Sequence, residues 1–317
     1  MIIMKIFKLT LVMLFAVAIM VSCKKSDGTL SPSGLSEAYV IPQGTHTYDA
    51  TIVGYLQSYN TNILYNFTDR DAYWTPTAWT KPTGPSSIGY WTPGVELSVA
   101  DQNYVGAQLD LIKKKWFNFY SDKFLKKFLP SKILLCSKLD SVINTLFFTP
   151  TVGYTKSVKS VAAYYSYDNI TVNYGSAAVT TMTKNDSMGF VAKANLIFIQ
   201  SMIARGVVTP TTEFINSADY ATTMTSTTQS YGKGIIVGYS SPSATADWNA
   251  YITAMVSYSE PNLNASVAIT NTTAAGILNA TKDVNGQIRK RYNIVRNYYI
   301  NEYQVDLQKI GNAAKGL

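Results

Sequence analysis

The sequence predicts an α+β fold in which a small mixed sheet packs on a buried central helix and a mainly helical part follows. Three observations lead to this prediction. Segments rich in branched and aromatic residues, which are typical of strands, alternate with helical patterns in the first part of the chain. Residues 188–204 have almost no polar face, as expected of a helix that is buried on all sides. Beyond them, apolar residues recur at the spacing of helices.

The element boundaries follow from apolar spacing, capping residues and helix breakers. Apolar residues three and four positions apart predict helices over residues 52–59, 101–119, 122–129, 188–204, 220–231, 247–258 and 287–309. Branched and aromatic runs predict strands over residues 62–67, 132–137, 161–167 and 170–174. Residues 75–94 and 261–280 are expected to be loops. Ser121 and residues 185–187 are the expected helix caps, and Gly206 is the expected end of the central helix.

The N-terminus has the pattern of a bacterial lipoprotein signal. A basic start is followed by an apolar run over residues 9–21 and by a small residue directly before Cys23. A transmembrane helix is the alternative, but the run is shorter than the roughly 20 apolar residues that a span needs, and two lysines follow Cys23. We therefore expect a signal peptide over residues 1–22, a lipidated tether over residues 23–46 and one domain over residues 47–317.

Charge and cysteine usage exclude several classes of function. The formal charge of +8 falls to +6 when Lys5 and Lys8 leave with the signal, and the remaining basic residues are spread over the chain or lie on predicted helix faces. A lipid-anchored protein outside the cytoplasm meets no nucleic acid, so we expect no nucleic-acid role. Of the two cysteines, Cys23 carries lipid and Cys136 lies in an apolar run, which leaves no disulfide and no cysteine-based metal site.

Several landmarks occur in an order that matches one family. They are the segments Trp116–Tyr120 and Phe128–Leu135, the central apolar helix, and the segments Gly234–Tyr239 and Tyr298–Leu307. In these landmarks the chain resembles the Bacteroidetes lipoproteins that are classed as zinc metallopeptidases, whose genes often lie beside those of SusC/SusD-type importers. The resemblance covers most of the mature chain and implies a zincin-like fold.

In that family the buried helix carries the motif His-Glu-x-x-His. Residues four apart face one way on a helix, so two imidazoles can bind one zinc ion while the glutamate polarises the bound water. The resemblance places Leu196 and Gln200 on the two histidines and Ile197 on the glutamate. The whole chain contains one histidine, His46, in the predicted tether, so one chain cannot form a histidine-based zinc site.

A second segment of the family, Glu-Asp-Phe-Ala-Glu, would supply a further acidic ligand or a support for one. It falls on residues 246–250, where Ala246 and Ala250 stand for the two glutamates and Asp247 is retained. Because five polar positions of the site differ together, we expect a dismantled site. The protein is thus expected to have no metal, no cofactor and no catalytic residue, with apolar side chains refilling the cleft.

Other candidate sites remain open. The acids Glu213, Asp219 and Asp247 could form a metal-free hydrolytic pair, although acids in such positions are more often caps and surface charges. Aromatic residues flanked by Pro and Gly could form a sugar-stacking or protein-docking surface, or could pack the loop on the domain. The aromatic residues of this kind are Tyr73, Trp74, Trp79, Tyr90 and Trp91.

The sequence and the resemblance together predict a catalytically inactive, metallopeptidase-like lipoprotein. It would be held by Cys23 on the outer membrane, on the cell-surface face rather than the periplasmic face. The resemblance implies that it is an accessory or structural subunit of an outer-membrane barrel complex, such as a SusC/SusD-type TonB-dependent transporter. A stand-alone glycan- or peptide-binding lipoprotein and a hydrolase with a relocated, metal-free site are the two alternatives.

Overall fold

A computed structural model describes residues 39–78 and 81–317 of the chain. The predicted signal peptide, Cys23 and Trp79 lie outside the described residues. Residues Ile41–Leu317 form one compact unit, which begins earlier than the predicted domain start at residue 47. The reason is that Gln43, placed in the tether by the sequence, accepts a hydrogen bond from the Tyr65 N–H at 2.9 Å. Its side-chain amide also donates to the Asn66 carbonyl at 2.6 Å.

The helices and strands alternate first and then give way to helices. The strands are β1 (Asn62–Leu64), β2 (Val95–Val99), β3 (Lys132–Phe147), β4 (Gly153–Ser160), β5 (Ala163–Ser166) and β6 (Asn169–Val172). The helices before and between them are α1 (Asp49–Tyr59), α2 (Asp69–Tyr73), α3 (Val105–Lys115) and α4 (Asp122–Phe128). The helices after the strands are α5 (Lys184–Ala204), α6 (Thr212–Asn216), α7 (Thr227–Gly232), α8 (Ala244–Ser257), α9 (Glu260–Leu263), α10 (Gln287–Tyr303) and α11 (Leu307–Ala313).

Strand β3 joins two parts of one sheet. Its first residues lie between β1 and β6, parallel to both, and β5 adds to the edge of β6 in antiparallel orientation. Its later residues lie between β2 and β4, antiparallel to both, and form a three-stranded ribbon. This mixed sheet, the buried central helix and the helical C-terminal part confirm the predicted α+β fold class.

Helix α5 is the centre of the core. Its Phe198 ring contacts the rings of Trp116, Tyr120 and Phe124 at centroid distances of 5.1–5.9 Å. The helix packs against β5 and β6 on one side and against α8 and α11 on the other. Among the described residues it is the one helix that is long and apolar enough to cross a membrane, and its place in the core accounts for that composition.

Several element boundaries differ from the sequence-based predictions. Helix α5 begins earlier, because Thr183 and Asp186 form a capping box in which each side chain binds the other residue's N–H. The predicted last helix divides at Gln304, whose φ is 58°. It divides there because Asp306 caps α11 and pairs with Arg296 at 2.8 Å.

Two further predictions were wrong in extent. Residues 220–231 are helical only from Thr227, because the Asp219 carboxylate accepts the N–H groups of Ala221 and Thr222 and closes a turn there. Strand β3 is much longer than predicted, and β2 and β4 were missed. In the outer half of β3 and along β4 most side chains are exposed or half-buried and polar residues interrupt the apolar ones, so the pattern of a buried strand is absent.

We predict that Gly311→Ala destabilises the protein by about 1–3 kcal/mol. A Cβ at Gly311 would collide with the carbonyl oxygens of Met255 and Tyr258, where α11 packs on the end of α8. Gly189→Ala in α5 is the control, because a Cβ there meets nothing within 4 Å, and it should stabilise by about 0.5–1 kcal/mol. Urea unfolding measures both. Equal effects of the two variants would contradict the close packing of α11 on α8.

Candidate functional site

The five positions that the resemblance assigns to the zinc site lie on α5 and α8, and these two helices pack against each other. On α5, Ile197 is buried, Leu196 is half-buried and Gln200 is exposed. Helix α5 therefore keeps a narrow accessible strip, and the prediction that it is buried on all sides was wrong in this respect. On α8, Ala246 and Ala250 are half-buried.

These residues do not fit a zinc ion. Zinc in proteins takes thiolate, imidazole or carboxylate ligands, and four of the five side chains have no donor atom at all. The fifth, Gln200, offers a neutral amide. Within residues 39–78 and 81–317, no group of three His, Cys, Asp or Glu side chains is arranged to hold a metal ion.

Asp247, the acid retained in the second family segment, is buried in an ion pair. Its Oδ2 lies 2.8 Å from Nη2 of Arg291, and neither side chain has any exposed surface. The same oxygen accepts the Tyr220 hydroxyl at 3.1 Å. Oδ1 accepts the backbone N–H groups of Ile236 at 2.7 Å and Val237 at 3.1 Å. Each carboxylate oxygen therefore has two partners, and neither is left to bind a substrate.

Arg291 ties further elements to the pair. Its Nη1 donates to the Phe214 carbonyl at 3.0 Å and to the Ser217 hydroxyl, both at the C-terminal end of α6. Its Nη2 also donates to the Tyr220 hydroxyl. The guanidinium carbon lies 3.7 Å from the centroid of the Phe214 ring, a cation–π distance. Arginine is well suited to this place because its planar group donates in several directions at once.

Burial raises the pKa of the Asp247 carboxyl, while the charge of Arg291 and the two backbone N–H donors act in the opposite direction. Burial also raises the pKa of the Tyr220 hydroxyl, and the Asp247 charge adds to that increase. A raised carboxyl pKa beside a hydroxyl is often a sign of an active site. Here Asp247 and Arg291 are closed off from solvent, and the half-buried Tyr220 is bonded to both, so the arrangement is that of a structural network.

The other two acids are exposed and lie apart from the ion pair. Glu213 lies on the surface of α6. Asp219 forms an ion pair with Lys233 at 2.8 Å. This ion pair lowers the pKa of the Asp219 carboxyl, and so do the hydrogen bonds from the Thr222 hydroxyl and from backbone N–H groups. Asp219 is thus a turn-forming surface charge, which is the plain interpretation that the sequence favoured.

The aromatic residues of the 75–94 loop region have separate packing contacts. Trp74 is half-buried with its ring edge against Tyr167 at a centroid distance of 5.4 Å. Trp91 is half-buried, with its backbone bonded to the Asn144 side chain and the Lys156 ammonium 3.7 Å from its ring centroid. Whether these rings bind a ligand stays a prediction. His46 is exposed in a surface loop and stacks on Tyr48.

The sequence-based predictions missed a polar groove of about 590 Å³ between α6 and α10. Three asparagines at four-residue intervals, Asn293, Asn297 and Asn301, line its α10 side. Their amide groups are exposed, and none has a hydrogen-bond partner among the described residues. Glu213 lines the α6 side. The signal that could have found the groove is the row of Asn in a helix, since Asn is a poor helix former.

Comparisons with known proteins add one similarity. No protein-family model matches the chain, and no curated protein matches it. Among solved structures, it is similar to a protein from Bacteroides caccae that is described as a candidate zinc-binding metallo-peptidase. The TM-score is 0.43 and the sequence identity is 13%, over 85% of this chain and 90% of that chain. The α+β fold class follows from the strands and helices of this chain, and the chemistry of the site follows from its own side chains.

We predict that Asp247→Ala destabilises the protein by about 3–5 kcal/mol, because it leaves the Arg291 charge buried without a partner. Asp219→Ala is the control. It removes an exposed acid whose ion pair is screened by solvent and should destabilise the protein far less than Asp247→Ala. The free energy of unfolding in urea measures both. A stable Asp247→Ala protein would mean that the carboxylate is retained for chemistry and not for structure.

Proposed function

We propose that this protein is a non-catalytic binding lipoprotein that serves as an accessory subunit of an outer-membrane assembly. The observation that carries the non-catalytic part is the state of Asp247, the one acid kept at the positions of the family's site. Both of its oxygens are engaged by Arg291, Tyr220 and two backbone N–H groups, and the carboxylate is fully buried. Around it the positions of zinc ligands carry Leu, Ile, Gln and Ala.

The location and the partner come from other observations. The lipoprotein signal that ends at Cys23 supports attachment to a membrane. The family resemblance supports the outer membrane, its cell-surface face and a SusC/SusD-type TonB-dependent transporter as the assembly. In such an assembly a peptidase-like domain without a zinc site would hold a neighbouring protein or present a substrate, and would leave the substrate intact.

We predict that the full chain, purified from its native membrane in mild detergent through a C-terminal tag, brings an outer-membrane barrel with it. The same sample should contain zinc far below one ion per chain and should leave a fluorogenic peptide mixture uncleaved. Mass spectrometry, a metal assay and fluorescence are the three measurements. A protein that purifies alone contradicts the accessory role, and stoichiometric zinc with peptide cleavage contradicts the non-catalytic role.

The polar groove favours a second candidate function, the binding of an extended polypeptide. Asn293, Asn297 and Asn301 lie about 6 Å apart along α10, because four residues of helix rise by that amount. An extended chain repeats its outward N–H and C=O groups about every 6.6–6.8 Å. Each asparagine amide can accept from an N–H and donate to a C=O, so a row of them can follow a peptide backbone without reading its side chains.

The surroundings of the groove favour peptide over glycan. Sugar sites commonly offer an open aromatic face, whereas the aromatic ring that lines this groove, Tyr298, already packs against Trp248, Tyr299 and Tyr303. The asparagines also contradict the local preference of a helix surface, since alanine would stabilise α10 by about 0.5 kcal/mol at each position. Residues that contradict local preference without a structural partner are typical of functional sites.

We predict that replacing Asn293, Asn297 and Asn301 with alanine weakens peptide binding at least tenfold while making the fold more stable. The probe is a fluorescein-labelled peptide of alternating Ser and Thr, and the readout is fluorescence anisotropy. Lys113→Ala, at an exposed position of α3 outside the groove lining, is the control for a general surface change on a helix. Binding that is equal in the triple variant, or binding of an oligosaccharide in place of the peptide, would rule out backbone recognition in the groove.

A further inference from the structure

The ribbon of β2, β3 and β4 ends in an exposed apolar tip. Strand β3 ends at Phe147, opposite Gly153 at the start of β4. In the connection between them, Phe148 is 69% exposed and Val152 is 58% exposed. Ile88 is also exposed, and its carbonyl accepts the Tyr154 N–H at 2.8 Å, so the 86–90 loop lies beside the tip. Large apolar side chains clustered at a tip mark a contact surface.

The side chains change in character with distance from the tip. One pair in from Phe147, Tyr154 lies opposite Leu146, and its ring contacts that of Tyr90 at a centroid distance of 5.0 Å. Three residues in from the tip, Asn144 lies opposite Lys156, and Lys156 covers the ring of Trp91. The order along the ribbon is therefore Phe and Val first, then Tyr, then Trp with Lys.

This order matches a phospholipid bilayer surface. Apolar side chains suit the hydrocarbon, Tyr and Trp are enriched where hydrocarbon meets headgroups, and Lys reaches into the headgroups. Surface-seeking segments bury their apolar face by about 5–10 Å. Three residues of strand rise about 10 Å, which puts Lys156 at headgroup level when the tip is inserted to that depth.

We propose that the tip of this ribbon, residues 146–153 with the neighbouring 86–90 loop, inserts into the surface of the membrane to which the chain is tethered. Charge supports this occupant, because residues 141–160 contain two lysines and no acid. Lys156 is paired with Glu96 of β2, which leaves the exposed Lys159 as the positive charge for acidic headgroups. The length of the predicted tether supports this occupant as well. The predicted lipid site, Cys23, precedes Ile41 by 18 residues, which can extend to at most about 60 Å. The tip and the lipid anchor together would fix the orientation of the domain, which one flexible tether cannot do.

The inference rests on the proposed lipid anchorage, and the test separates the two. The full chain carrying Phe148→Cys is purified and reconstituted into vesicles of equal parts phosphatidylethanolamine and phosphatidylglycerol. It is labelled there with a thiol-reactive NBD dye. Cys136 is buried and Cys23 is expected to carry lipid, so the dye reports on the tip. Ser266→Cys, on an exposed loop, is the matched control, and Val152→Cys is a second tip reporter in case the first variant fails to fold.

At either tip position we expect the NBD emission to shift to the blue on reconstitution and to be quenched severalfold by doxyl-labelled lipid, with no change at Ser266. Aqueous emission at both tip positions in vesicles that carry the protein would overturn the inference while leaving the lipid anchor intact. If the tip is shielded only in native membranes, a protein partner is the occupant. That result would also overturn the inference that the tip inserts into the bilayer. If the control variant does not float with the vesicles, the anchorage itself is wrong.

Discussion

The buried ion pair between Asp247 and Arg291 is the interaction on which the helical half of the molecule depends. It joins α8 to α10, and through the bonds of Arg291 to Phe214 and Ser217 it also holds α6. Through the N–H groups of Ile236 and Val237 it fixes the chain after α7. A lone charge in this place would cost several kcal/mol, so the elements around the pair must close together or not at all.

This closure also determines what the molecule can do. An acid that polarises water or attacks a substrate needs access and an unoccupied oxygen, and Asp247 has neither. The accessible polar groups are elsewhere, in the groove lined by α10 and at the ribbon. The molecule thus combines a closed interior with two accessible surfaces, the polar groove for which we propose a polypeptide and the apolar tip for which we propose a bilayer. Both proposed uses would suit a tethered binding protein.

The sequence allowed the fold class and the core helix to be predicted, and the spacing of Ile288, Tyr292, Val295 and Tyr299 predicted a helix with one buried stripe in residues 287–309, because these features depend on apolar periodicity. All four residues of that stripe, Ile288, Tyr292, Val295 and Tyr299, are buried. The role of Asp247 could not be predicted, since its partner lies 44 positions away and nothing local distinguishes a buried acid from a cap. The ribbon was missed for a related reason. Strand β2 follows a long stretch that contains Pro and Gly, and β4 has only Tyr154 and Val158 as large apolar residues, so neither was recognised as a strand.

The most direct test of the structural role of Asp247 is a double-mutant cycle with Asp247→Leu and Arg291→Met, measured as free energies of unfolding in urea. If the two side chains exist to pair with each other, each single variant loses several kcal/mol and the double variant recovers much of that loss, with a coupling of about 2 kcal/mol or more. Losses that add within about 0.5 kcal/mol would mean that the two groups act independently. The ion pair would then not be the centre of the fold, and a chemical role for Asp247 would have to be reconsidered.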